Sequence, residues 1–338
     1  MVSKHGGDIF GRDIKLDFSV NLNPLGTPES VIRAVSESAA DSDRYPDPYC
    51  RELTKKLSEH ESISAENIVC GNGADDLIYR VIYTLKPRRA VIPKPSFSEY
   101  AKALCEVGCE IARHEPKDIP AALDTGADML ILCSPNNPTG RLVEPEALKM
   151  ICEKCLENNI VFLCDECFID LCENAGKCTV KRFMNDNIIV LKAFTKTYAM
   201  AGLRLGYALF GSAELAERVR DRGQFWSVST VAQAAGIAAL GETLYVETAR
   251  KTIAEERKFL SDKLRDLGFE VCRSDANFIL FRCDIPLDEM LLSEGIMIRN
   301  CSDFSGLGEG YFRAAVKLRS ENEALVKAME KVMKWQET

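Results

Sequence analysis

The chain has 338 residues, 46% of them hydrophobic and 28% charged, with a formal net charge of −8. That length suits two domains or one large α/β unit, and the acidic balance argues against nucleic acid or an anionic membrane as the main partner. No apolar run approaches the ~18 residues of a membrane helix, and the N-terminal MVSKHGGDIF lacks a signal-peptide core, so a cytoplasmic protein is expected.

In chain order, His5 to Leu25 is irregular, with loop signals at Gly6-Gly7 and Asn23-Pro24. A helix is predicted over 28–40, then the rigid turn Arg44-Tyr45-Pro46-Asp47-Pro48, then a helix over 51–60. From Ile68 strands and helices alternate. Strands are predicted over 68–70, 90–93, 110–114, 129–133, 160–164 and 188–194, with helices over 76–85, 98–107 and 145–157. The alternation argues for a mainly parallel sheet covered by helices, where ligands gather at the carboxyl ends of strands. A long helix over 244–267 leads to strands over 269–272, 278–282, 295–299 and 312–316 and helices over 287–293 and 321–334, which read as a smaller α+β unit.

Fourteen cysteines are spread along the chain. Cys152-x-x-Cys155 followed by Cys164-x-x-Cys167 imitates a zinc ribbon. Periodicity puts the first pair inside a helix and Cys164 in an apolar strand, where free thiols serve as core filler, so no metal is expected.

The most informative stretch is Phe194 to Tyr207, FTKTYAMAGLRLGY. Lys196 falls just beyond a buried strand, where desolvation would free its amine for Schiff-base chemistry. Alone it would read as one more surface lysine. Thr195 and Arg204 add a hydroxyl and a guanidinium suited to a phosphate. Gly71-Asn72-Gly73-Ala74-Asp75 opens a helix after a strand, so its free amides can hold a phosphate, although an ordinary turn has the same look. Ser134-Pro135-Asn136-Asn137-Pro138-Thr139-Gly140 is a loop after the strand ending at Cys133, and Asp165 stands at the end of the next strand.

These stretches resemble fold-type I pyridoxal-phosphate enzymes, in the branch of histidinol-phosphate aminotransferases and threonine-phosphate decarboxylases. The match runs over nearly the whole chain, with Asn137, Asp165, Lys196 and Arg204 in the family's order. It implies an aspartate aminotransferase-like α/β fold, with a large domain over 41–243 and a smaller domain and N-terminal arm from 1–40 and 244–338. It implies pyridoxal 5'-phosphate held by Lys196, with its phosphate on Gly73, Ala74, Asp75, Thr195 and Arg204. Phe97 would stack on the ring, Asn137 would bond the phenolic oxygen, and Asp165 would pair with the pyridine nitrogen, making the ring an electron sink. Tyr45 would reach the cofactor phosphate of a second subunit, in a homodimer with shared active sites. Ala193 departs from the pattern where many relatives carry a hydroxyl, and Phe168 stands where aminotransferases carry a tyrosine.

The segments His5-Gly6-Gly7, 17–26, 298–304 and 311–317 resemble the decarboxylases in particular. That implies L-threonine O-3-phosphate as substrate and an aminopropanol phosphate, used in cobalamin assembly, as product. Arg299 and Arg313 match the arginines facing the substrate's anionic end, with His5 and Asn23 as further donors and Asn137 on the substrate side as well. The alternative is an aminotransferase acting on histidinol phosphate or a related amine, which needs a keto acid as second substrate.

Overall fold

The computed structural model describes residues 5–334; residues 1–4, the start of the stretch read for a signal peptide, and 335–338 lie outside the described residues. Its centre is a seven-stranded sheet in the order Ile68–Gly71, Gly206–Phe210, Ile188–Ala193, Val161–Asp165, Met129–Cys133, Arg89–Pro93, Glu110–His114. Every neighbouring pair is parallel except the two made by Gly206–Phe210, which runs against both its neighbours. The mainly parallel sheet is the expected one.

Successive residues of these strands feed two separate cores, as the two-residue period of a strand requires. Phe162, Val190 and Leu209 pack with Leu53 and Leu57. Leu163, Ile189, Leu191 and Phe210 pack with Leu77 and Ile78. Burial on both faces is why the strands read as unbroken apolar runs. The Glu29–Ser38 helix sets Val31 in the first of these cores. A third core, including Phe18, Leu260, Leu264, Ile279, Phe281, Leu325 and Met329, belongs to the C-terminal unit. Its antiparallel sheet has the order Arg299–Asn300, Tyr311–Ala315, Phe278–Arg282, Glu270–Val271.

Two features depart from the sequence reading. The strand expected over 295–299 splits, with Ile296–Met297 pairing in parallel with Leu16–Asp17 and Arg299–Asn300 pairing with Tyr311–Ala315. The apolar run is continuous, but its halves bond different partners, so the N-terminal segment and Arg299 reach the same cleft. Helices Ala213–Asp221 and Thr230–Ala239 carry no expectation from sequence. Each starts at a serine cap, Ser212 accepting from Leu215 N at 3.3 Å and Ser229 from Ala232 N at 3.2 Å, which is the local signal that could have found them. Among the described residues no helix is long and apolar enough to cross a membrane.

Candidate active site

Six strands of the central sheet point the same way, and residues at or just beyond the carboxyl ends of five of them meet in one cleft of about 560 Å³. Ala74, Asp75, Phe97, Asn137, Asp165, Thr195, Lys196 and Arg204 all line it, together with His5, Arg299 and Arg313. Gly73 stands behind this wall.

The lysine is carried by a single helical turn, Phe194–Thr197, directly after the buried strand Ile188–Ala193. The N-terminal segment clamps that turn: Asn23 N–H donates to Lys196 O at 3.1 Å and Asn23 Nδ2 to Thr197 O at 2.8 Å. Asn23 Oδ1 accepts from Leu25 N at 3.1 Å. Asn23, expected among the substrate ligands, supports the lysine turn, buried and with both ends of its amide engaged. Asn23→Ala strips its side-chain bonds and is expected to cost about 1–3 kcal/mol of stability. The check is a lower urea midpoint at unchanged slope.

Two lysines four residues apart receive opposite treatment. Burial alone would lower the pKa of Lys192, but Asp170, bonded at 2.7 Å, and Glu61, at 3.9 Å, raise it above its ordinary value. Glu61 in turn accepts from Lys181 Nζ at 2.6 Å and from Tyr207 Oη at 2.6 Å. For Lys196 the balance falls the other way, with Cys167 and Asp165 raising its pKa by less than the rest lowers it. Desolvation first, then the positive charges of Arg313 and Arg204, bring its pKa down from 10.5 to about 8. Its Nζ stands 5.6 Å from the centroid of the Phe168 ring, which itself packs edge-on against Phe278 at 5.1 Å.

Asp165 ends its strand with both oxygens held: Oδ2 accepts from Tyr100 Oη at 2.6 Å and Oδ1 from Cys167 N at 3.0 Å. Tyr100 is wholly buried. Sequence reasoning missed it, because a tyrosine on the inner side of the Ser98–Glu106 helix reads as core. Phe97, at the head of that helix, lines the cleft and meets Tyr100 edge-on at 5.5 Å.

An anion cradle lies at the start of the Gly73–Leu85 helix. Gly73 has φ +81°, and a Cβ there would come 2.6 Å from Arg204 Nη2; a Cβ on Gly206 would come 2.6 Å from Ala74 N. Both glycines thus let backbone and guanidinium approach as closely as they do. Thr195 and Asp75 complete the wall, and Asp75 Oδ1 is buried with no hydrogen-bond partner among the described residues. Burial, then Glu99, raises the Asp75 pKa.

Two further arginines line the cleft. Arg313 donates through Nη1 to Asn137 Oδ1 at 2.5 Å and through Nη2 to Ser19 O at 2.8 Å, while its buried Nε has no partner among the described residues. Because Asn137 Oδ1 is taken, its Nδ2 donors are the atoms left for the cleft. Arg299 pairs with Asp303 at 2.8 Å. His5 Nε2 lies 3.1 Å from Glu99 Oε1, and its ring leans on Phe97 at 5.9 Å. Gly6 makes this docking feasible, since a Cβ there would come 2.3 Å from Ser19 O. Tyr45 stands apart: it is 79% exposed and stacks on Trp226 at 4.4 Å. The zinc-ribbon imitation dissolves in the fold, for Cys152, Cys155 and Cys164 share the apolar core with Leu148 and Phe162, and Cys167 lines the cleft.

Comparison with known proteins agrees with this geometry. Residues 13–329 match the family described as aminotransferase class I and II. The threonine-phosphate decarboxylase of Salmonella typhimurium is 37% identical over 98% of this chain and 97% of its own length. Among solved structures, the histidinol-phosphate aminotransferase of Clostridium acetobutylicum superposes with a TM-score of 0.88 at 29% identity, covering 94% of this chain and 99% of that one. Aspartate aminotransferase of Thermus thermophilus shares the fold at a TM-score of 0.83 and 21% identity, over 95% of this chain and 92% of that one.

Proposed function

The chain belongs to the aminotransferase class I and II family and uses its pyridoxal 5'-phosphate cofactor, and on that premise we propose that it removes the carboxylate of L-threonine O-3-phosphate to give an aminopropanol phosphate for cobalamin assembly. What carries this reading beyond the family is the 37% identity to a threonine-phosphate decarboxylase along 98% of the chain. The cleft's two separate sets of guanidinium groups support it, one built on Gly73 and one on Asn137.

The donor set fits the cofactor. The Gly73 cradle, too tight for any side chain, would take its phosphate with Ala74, Asp75, Thr195 and Arg204. Lys196 would hold it covalently, Asp165 would meet its ring nitrogen, Phe97 would cover its face and Asn137 Nδ2 its phenolic oxygen. When bound, the cofactor supplies an electron sink for the pair left on the substrate's α-carbon. Tyr100 and the Cys167 amide fix the Asp165 carboxylate so that its charge cannot turn away. Arg313, with Arg299, would bind the substrate's anionic groups, and His5, propped by Glu99, would add a donor at the mouth. Anchoring the phosphate leaves binding energy to hold the carboxylate perpendicular to the ring. The Lys196 amine, with its pKa brought down to about 8, would take up and give back a proton near neutral pH, its protonated form returning one to the α-carbon.

The proposal includes a cytoplasmic homodimer, with the domain division 41–243 against 1–40 and 244–338. A face of exposed aromatics supports the dimer: Tyr45 stacks on Trp226, and Tyr49 meets Phe225 at 6.0 Å. Such a contiguous aromatic patch suits a partner surface, and it would carry Tyr45 to a second subunit's cleft.

Incubation of the loaded enzyme with L-threonine O-3-phosphate and no keto acid tests the reading by mass spectrometry. Carbon dioxide and aminopropanol phosphate over many turnovers are expected. Turnover only with histidinol phosphate and 2-oxoglutarate would favour an aminotransferase instead. A second expectation concerns pH. Capture of pyridoxal phosphate by the unloaded protein should accelerate as pH rises, with a midpoint near 8 rather than 10.5, because only the neutral Lys196 amine attacks. A stopped-flow absorbance series across pH 6–10 would read it; a midpoint at the ordinary lysine value would contradict the site's electrostatics.

A further inference from the structure

Of the described cysteines, Cys50 and Cys70 are set apart by their surroundings. Cys50 follows the exposed Tyr45–Tyr49 turn, at φ 50°, and opens the Arg51–Glu61 helix. Cys70 lies on the strand Ile68–Gly71, immediately before the anion cradle. Twenty residues apart in sequence, the two meet beside Thr54, whose N–H donates to Cys50 O at 2.8 Å. Both face one cavity of about 170 Å³, whose wall also includes Thr54, Arg80 and Arg220. Thr54 Oγ1 is 3.8 Å from Cys70 Sγ.

We propose that Cys50 and Cys70 form a peroxide-oxidisable dithiol that couples thiol redox state to the cofactor cradle. The Cys70 thiolate attacks one peroxide oxygen, breaking the O–O bond to leave a sulfenic acid on Cys70 and hydroxide. The Cys50 sulfur then attacks the sulfenic sulfur, forming the S–S bond as the hydroxyl leaves. With the Cys50 proton, the two thiols have lost two electrons and peroxide has become two waters. Peroxide is little larger than water, so it needs no open face to enter the cavity.

The surroundings favour this order of events. Its neighbours Cys50, then Thr54, Arg220 and Arg80, lower the Cys70 pKa against its burial, while that of Cys50 is raised, so Cys50 serves as the resolving thiol. The link to the cradle is physical. Arg80 lies so close to Gly223 that a Cβ on that glycine would come 2.0 Å from Arg80 Nη1, and it bonds Asp76 through Nε at 2.9 Å. Asp76 Oδ2 accepts from Asn72 N at 2.9 Å, next to Gly73. Gly71 is equally confined, since a Cβ there would come 2.7 Å from Leu77 Cγ. Drawing Cys70 toward Cys50, to the ~2.05 Å of a disulfide, strains this packed path.

The coupling half rests on the cofactor reading above; the chemistry does not. Reduced, unloaded protein would be treated with equimolar hydrogen peroxide and analysed by intact mass and peptide mapping. Loss of two hydrogens, placed in a Cys50–Cys70 crosslink and reversed by dithiothreitol, is the expected result. C50S should stop at a trappable sulfenic acid, C70S should lose the reaction, and C105S, at the exposed cysteine, should react as the parent does. Pyridoxal phosphate titrated into both forms should bind several-fold more weakly to the oxidised one. No crosslink, or a crosslink elsewhere, overturns the proposal, and equal affinities overturn its coupling. Failure of the reduced protein to bind pyridoxal phosphate would count against the cofactor reading instead, since the crosslink is read without it.

Discussion

Lys196→Ala is expected to lower turnover of L-threonine O-3-phosphate by about 10³-fold or more, the scale lost with a group that both holds the reacting system and moves a proton. No neighbour can replace it. Lys192, four residues back on the preceding strand, is locked as a cation by Asp170 and Glu61. The fold should not suffer. Lys196 has a folded pKa of about 8, below its ordinary 10.5, so the folded state disfavours its charged form, and that penalty is relieved only as pH rises from about 8 toward 10.5. Removing the side chain removes the penalty, so the unfolding midpoint at pH 7 should hold or rise. Pyridoxal phosphate should still bind through the cradle but wash out on dialysis, without the absorbance of a lysine-bound cofactor. A variant that kept most of its turnover would sink the assignment.

The parts of the molecule legible in sequence are those where one segment decides its own fate. The buried strands ending at Cys133 and Asp165 announce themselves as short apolar runs, and the turns after them carry the polar groups. Asn137, Asp165, Thr195, Lys196 and Arg204 were legible because strand ends bring them to one place whatever the side-chain detail. Partnerships set by tertiary packing were not. Tyr100 looks like core until its hydroxyl is found on Asp165, 65 residues away. Asn23 looks like a ligand until its amide is found bonded to Thr197, 174 residues away. The run 296–298 is apolar and continues straight into Arg299, and only the change of partner at Ile298 shows that the segment serves two sheets.

Arg313→Gln should raise KM for the phosphorylated substrate by about 10- to 100-fold, the worth of charge-assisted bonds to an anion. The guanidinium has three duties that separate experimentally. It offers charge to the substrate, and burial has already brought its own pKa down to about 10, so an incoming anion restores what desolvation took. It pins Asn137 through Oδ1, and without it that amide is free to turn its donors from the cleft. It is the leading charge that depresses Lys196, so the midpoint for capture of pyridoxal phosphate should move up from about 8. Arg313→Lys distinguishes these effects. A lysine keeps the charge but not the planar fork, so it should restore the low capture midpoint while leaving KM raised. Arg313→Gln with an unshifted midpoint would remove Arg313 from the lysine's electrostatics, and unchanged KM would remove it from the substrate site.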